Sequence, residues 1–290
     1  MKCDICPHDA ILRSIYCPRC RPLVATKAES KKRAAALIQD YDGQIDGFRC
    51  RWTKLVLDTN DRYGPLSLCF DHIIPRKSSA LATSSILANS MKSDLGPEEF
   101  PLAIKHLALH HAGQPFDRDI IGFIYWAEQP IRLAAPLLGR ALFPAERTSA
   151  AISKCDICSE PSFPHSIYCP RCRRFVFWGG HDHLPRVKAL KMAWWPELRG
   201  FLCYYTGVLL NLMDPRNPWY MTYDHRIPGN DRTQVMAASW INSMKTSLSE
   251  TEFWAVIKEL ARYLAEGGEF NRKVVRFKYW NRACSSTSAT

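Results

Sequence analysis

Cys155-Asp156-Ile157-Cys158, followed by Ser166-Ile167-Tyr168-Cys169-Pro170-Arg171-Cys172, repeats letters already met at Cys3-Asp4-Ile5-Cys6 and Ser14-Ile15-Tyr16-Cys17-Pro18-Arg19-Cys20. The offset is 152 residues (3 to 155) and grows by one downstream (71 to 224). Gly47-Phe48 and Cys50 match Gly200-Phe201 and Cys203, and Asp71-His72 matches Asp224-His225. Asn89-Ser90-Met91-Lys92 matches Asn242-Ser243-Met244-Lys245, Glu99-Phe100 matches Glu252-Phe253, and Tyr125-Trp126 matches Tyr279-Trp280. Self-similarity at a nearly fixed period is the mark of a tandem duplication.

The repeat sets the expected organisation: one copy over 1–126, a connector over 127–154, a second copy over 155–280, and a disordered Ser/Thr/Ala-rich tail over 281–290. The connector carries prolines and an Ala/Leu-rich stretch from Ile131 to Phe143 that suits a short helix. Within each copy the pattern predicts an α+β unit: a cysteine knuckle, a helix, a short β-rich segment and two helices. In the second copy the first helix is expected over 184–196. Phe253, Trp254, Ile257, Leu260, Ala261 and Leu264 give a helical stripe over 251–265, copied at Phe100, Ile104, Leu107 and Ala108. Thr53–Asp71 and Thr206–Asp224 mix Pro, Gly and Asn with alternating apolar residues, which predicts a hairpin in each.

With 290 residues and 47% hydrophobic content, the chain can bury a core, and its net charge of +11 favours acidic partners, nucleic acid first. No apolar run long enough to span a bilayer is present, and the start lacks the apolar core of a signal peptide. The expectation is a protein that is not secreted and binds no membrane, placed in the cytoplasm, nucleoid or nucleus. In such a reducing compartment, twelve cysteines argue for metal binding over disulfides.

Cys3, Cys6, Cys17 and Cys20 form C-x2-C-x10-C-x2-C, and Cys155, Cys158, Cys169 and Cys172 repeat it. Two such turns aim four sulfurs at one ion, so each module is expected to hold a structural Zn2+; an iron-sulfur cluster or a redox dithiol is the lesser alternative. A closed four-thiolate site has no open position for catalysis. Arg19, Arg21, Arg171, Arg173 and Arg174 lie on or beside the second knuckles, where they serve either as phosphate contacts or as solvated arginines. Cys50, Cys69, Cys203 and Cys284 are too scattered for another site, and buried packing is their expected use. Trp194-Trp195, Trp254 and Tyr279-Trp280 are expected in the core before any base-stacking surface.

Each copy also carries Asp-His-x-Ile-Pro, with Asn-Ser-Met-Lys following 17 residues after the histidine (72 to 89, 225 to 242). Phosphodiester hydrolysis needs a base to activate water and a cation to stabilise charge on the phosphate. A histidine supplies the first, and a hard ion on Asp and Asn oxygens supplies the second. Successive strand residues face opposite ways, so the His need not share the ion held by its neighbour.

On these residues, together with Cys203-Tyr204-Tyr205-Thr206-Gly207 and its counterpart Cys50-Arg51-Trp52-Thr53-Lys54, the chain resembles the HNH endonucleases, or ββα-metal nucleases, over roughly 47–95 and 200–248. With the repeat and the cysteine modules, the resemblance completes an expected α+β fold of two tandem repeats. In each, a four-cysteine zinc knuckle or ribbon precedes a ββα-metal unit with flanking helices. It implies a divalent ion, Mg2+ or Mn2+, on Asp71 and Asn89 and on Asp224 and Asn242, with His72 and His225 as general bases. Lys92 and Lys245 would be phosphate or structural contacts. The family's middle Asn is replaced by Ala80 and Thr233, and its Gly-Gly after the proline by Arg76-Lys77 and Gly229-Asn230.

The function expected from this is a metal-dependent endonuclease acting on nucleic acid, DNA before RNA, as a monomer with an internal pseudo-dimer. One variant keeps a single catalytic copy and uses the other for binding. The alternative class is a non-catalytic, zinc-dependent nucleic-acid-binding protein with vestigial HNH units. A zinc-knuckle adaptor for other proteins would leave the charge and the Asp-His motifs unexplained.

Overall fold

The computed structural model describes residues 1–25, 29–75, 80–126, 153–162, 165–177 and 183–280, an α+β chain. The expected connector helix and tail lie outside them, as does Cys284. The chain forms two compact units, Met1–Tyr125 with Ser243–Thr290, and Trp126–Asn242. These divide the chain differently from the repeat, because the last helix of the second copy belongs with the first unit.

In the first unit, the cysteine module ends in α1 (Cys20–Val24) and is followed by α2 (Ser30–Asp40), β1 (Tyr41–Asp42) and β2 (Gly47–Phe48). Next come β3 (Leu68–His72), β4 (Leu81–Ser85), α3 (Ile86–Lys92) and α4 (Glu99–His111). β3 and β4 pair antiparallel, with Asp71 opposite Ala82 and His72 opposite Leu81. β4 is buried throughout, since α2 packs on it and α3 folds back onto both strands. Ser85 starts α3 by accepting a hydrogen bond from the Ala88 N–H at 3.0 Å, which satisfies one of the first turn's orphan donors.

The second unit has the same element order. It runs through α5 (Pro170–Val176), α6 (His183–Ala193), β5 (Trp194–Trp195), β6 (Gly200–Phe201), β7 (Met221–His225) and β8 (Gln234–Ala238), and ends within α7 (Ser239–Lys245). β7 and β8 place Asp224 opposite Val235 and His225 opposite Gln234.

α8 (Glu250–Glu266) completes the first unit by packing on α4. Its capping box, Ser249 with Glu252, fixes its start. Phe253, Ile257 and Leu260 of the expected stripe are buried together with Val256, as are Phe100, Ile104 and Leu107 of α4, while Ala261, Leu264 and Ala108 are half-buried. Trp254 is half-buried, stacked on His111 with ring centroids 4.3 Å apart, and Trp195 is exposed. Buried Glu99 accepts from the N–H groups of Gly96 and Ile124 at 2.6 and 2.7 Å.

The hairpins lie later than Thr53–Asp71 and Thr206–Asp224. Those segments are mostly turns with isolated bridges, and the paired strands straddle the Asp-His motif instead. Asp58 and Asn211 explain why: each side chain accepts backbone N–H groups two and three residues on, forming Asx turns that compete with strand pairing. Lys54 and Gly207 share a left-handed conformation at the equivalent turn (φ 58° and 66°). Glycine is suited to it and lysine is strained in it.

Candidate functional site

The cysteine modules converge as their spacing requires. In each, all four sulfurs lie within 4.8 Å of one another and all four residues are buried. Cys6 is 3.5 Å from Cys17 and 3.6 Å from Cys20, and Cys158 is 3.5 Å from Cys169. Sulfurs around a tetrahedral ion with Zn–S near 2.3 Å sit about 3.8 Å apart, so both clusters fit zinc. The Cys3 and Cys155 thiols titrate near 7: burial opposes ionisation, but several backbone N–H groups favour the thiolate. Cys50 and Cys203 are buried, with Cys50 Sγ 3.8 Å from the Ser84 hydroxyl and Cys203 Sγ accepting from the Ala238 N–H at 3.5 Å. Of the five arginines, Arg21, Arg173 and Arg174 are exposed, while Arg19 and Arg171 are half-covered.

In the first hairpin, the period-two alternation of β3 turns Asp71 inward and His72 partly outward. Asp71 is 7% exposed and Lys92, on α3, is 0% exposed. The Lys92 ammonium stands 3.1 Å from Asp71 Oδ2, off the axis of a hydrogen bond, so charge holds the pair. The ammonium also lies 5.1 Å from the centroid of the Trp52 ring and 3.5 Å from the His72 carbonyl. Burial raises the Asp71 carboxyl above its ordinary range, although Lys92 pulls the other way. The Asn89 amide donates to Cys69 Sγ at 3.7 Å.

The second hairpin repeats the plan, with a tyrosine where the first has a tryptophan. Asp224 is 4% exposed and accepts from the Tyr205 hydroxyl, Tyr205 standing where the first copy has Trp52. The Asn242 amide donates to the Tyr223 carbonyl at 3.1 Å and the Thr222 hydroxyl at 3.3 Å, bracing the strand that carries Asp224. Lys245 is buried, at 1% exposure. The His225 side chain is 35% exposed, and its Nε2 lies 2.8 Å from Asp231 Oδ1. Gln234 reaches the same nitrogen at 3.2 Å. With its amide oxygen turned toward the imidazole, that otherwise unpartnered buried oxygen gains a donor. Arg226 and Arg232 are exposed beside this histidine, Arg226 lying 5.3 Å from the ring centroid of Tyr204.

A divalent ion on Asp71 and Asn89, or on Asp224 and Asn242, needs carboxylate oxygens open to it. Asp71 Oδ2 stands against an ammonium and Asp224 Oδ2 accepts from a hydroxyl, while each asparagine donates to the strand through its amide nitrogen and keeps Oδ1 as the atom an ion would take. A carboxylate with one oxygen already engaged and one amide oxygen make a sparse set for a hard ion, and among the described residues no third group of His, Cys, Asp or Glu converges. Asp231 and Gln234 are not singled out by the sequence, and Tyr205 enters there only as part of the Cys203–Gly207 motif, with no role of its own. The first copy has Ser78, Leu81 and Trp52 in their places, so the repeat itself passes over them.

Comparison with protein-family models, curated proteins and solved structures finds no match to this chain. Among the described residues no helix is long and apolar enough to cross a membrane.

Proposed function

We propose that this chain is a zinc-stabilised nucleic-acid hydrolase of HNH type, whose working centre is the second hairpin-helix unit and whose first unit serves binding. The observation that carries the reading is the partly exposed His225 imidazole, oriented by Asp231 at 2.8 Å. A carboxylate on Nε2 favours the tautomer with its proton there and orients the imidazole, which serves as general base toward a water attacking phosphorus. Asp231 orients the ring and stabilises the imidazolium that forms. The exposed Arg226 and Arg232 supply positive charge for the phosphate. In the first copy Ser78 and Leu81 stand where Asp231 and Gln234 meet His225, so that position offers His72 no carboxylate, and this supports a binding role there. The divalent ion implied by the family resemblance takes no step in this reading.

The test is cleavage of supercoiled plasmid, and of single-stranded DNA and RNA, by the purified full chain in EDTA, Mg2+ or Mn2+. His72→Ala, His225→Ala and the double variant are compared with wild type. Wild type is expected to cut, His72→Ala to retain most activity, and His225→Ala to lose it. Nucleic acid that is bound but never cut, whatever the ion, replaces this reading with the non-catalytic binding protein.

A further inference from the structure

Arg19 and Arg171 occupy the same place in the two modules, inside Cys17-Pro18-Arg19-Cys20 and Cys169-Pro170-Arg171-Cys172. Each is fixed on one side by the neighbouring short hairpin. Arg19 Nη1 donates to the Asp46 carbonyl at 2.7 Å and Nη2 to its carboxylate at 3.2 Å, and the guanidinium lies 5.5 Å from the centroid of the Phe48 ring. Arg171 Nη1 donates to the Arg199 carbonyl at 3.1 Å, with the guanidinium 4.9 Å from the Trp194 ring centroid and 5.9 Å from that of Phe201. Asp46 and Arg199 are equivalent turn residues, both left-handed (φ 45° and 46°). The two clamps are therefore the same device built twice.

Each guanidinium keeps one buried nitrogen without a conventional hydrogen-bond partner, Nε of Arg19 and Nη2 of Arg171. Buried donors are rarely left so. Each arginine stands directly before a buried cluster cysteine, Arg19 before Cys20 and Arg171 before Cys172, which keeps the sulfurs within electrostatic reach of both guanidinium groups. Four neutral thiols give a guanidinium little to face. Four thiolates around a divalent ion carry a net double negative charge, which these cations would offset and hydrogen-bond.

We propose that Arg19 and Arg171 are outer-sphere positioning residues of two zinc sites, each tying a tetrathiolate to the hairpin turn beside it. This rests on the four-cysteine clusters holding zinc. It assigns these two arginines to the metal and leaves Arg21, Arg173 and Arg174 to the surface.

The experiment measures zinc content of the full chain, then the rate of zinc transfer to 4-(2-pyridylazo)resorcinol. The variants are Arg19→Met, Arg171→Met, Arg19→Lys and Arg171→Lys, with Arg21→Met and Arg173→Met as controls. Each of the first two methionine variants should speed loss of one of the two zincs by about 10–100-fold. The lysine variants, which keep the charge and lose the planar fork, should fall between them and wild type. Release within roughly twofold of wild type in the Arg19 and Arg171 variants, or equal acceleration by the controls, overturns the proposal. Where a methionine variant fails to fold, the lysine variant decides, and unchanged release refutes the role. A wild type without zinc fails the metal reading itself and the proposal with it.

Discussion

Replacing Lys92 by methionine tests whether that ammonium belongs to the interior or to a ligand. The side chain is fully buried and stands 3.1 Å from a carboxylate whose own side chain is 9% exposed. Removing one partner of a buried pair leaves the other charge stranded, at a cost of about 3–5 kcal/mol. At about 1.4 kcal/mol per tenfold, that lowers the protection of β3 and β4 amides between roughly a hundredfold and a few thousandfold. Native-state hydrogen exchange reads this locally, which suits a chain of two units better than a single unfolding midpoint. The stranded Asp71 can escape by taking a proton. Burial already raises its folded pKa, and a raised carboxyl stabilises the fold below the unfolded pKa and loses that contribution as pH rises through the folded one. The Lys92→Met penalty should therefore shrink as pH is lowered from 7 toward 5. Asp71→Leu with Lys92→Met together should cost much less than Lys92→Met alone, because no charge remains buried. A Lys92→Met penalty under about 1 kcal/mol with no pH dependence would refute the reasoning and return Lys92 to the surface as a phosphate contact.

Cys20→Ser should reduce zinc from two ions per chain to one by atomic absorption, with loss of order confined to the first module by hydrogen exchange; two retained ions would contradict the cluster. Asp231→Asn should keep the fold and lower nucleic-acid cleavage by His225 at least about tenfold, measured as nicking rate on plasmid; an unchanged rate would remove the orienting role. The His111 pKa is lowered, first by burial and then by Lys258 and His110, so its neutral form is the one α4 and α8 favour. Stability from that preference is present above the unfolded value of 6.5 and is lost as pH falls through it toward the folded value. The melting temperature should then fall between pH 7.5 and 5.5 more in wild type than in His111→Gln, and equal falls would refute the assignment.

The sequence made the repeat legible because cysteine turns and packed helix faces depend on local spacing. Two C-x2-C turns must meet if one ion is to join them, and Phe253, Ile257 and Leu260 must share a face if α8 is a helix. The hairpins were misplaced because side chains such as Asp58 and Asn211 use backbone donors that alternation alone assigns to a ladder. Inward Asp71 was illegible for a different reason: period two says that Asp71 and His72 face opposite ways, but not which way is in. That choice is made by Lys92, which reaches back 21 residues from α3 to Asp71. Asp231 escaped because a carboxylate in a loop acquires meaning only when the strand beside it brings His225 within reach.

Because α8 belongs with the first unit, that unit is assembled from both ends of the chain. On the ribosome its module, hairpin and α4 emerge early, but the side of α4 that meets α8, where His111 stacks on Trp254, stays uncovered until nearly the whole protein has been made. Any chain cut at the boundary between the repeats would leave that side of α4 without its cover, so the repeats, though alike in sequence, are not interchangeable parts that separate cleanly.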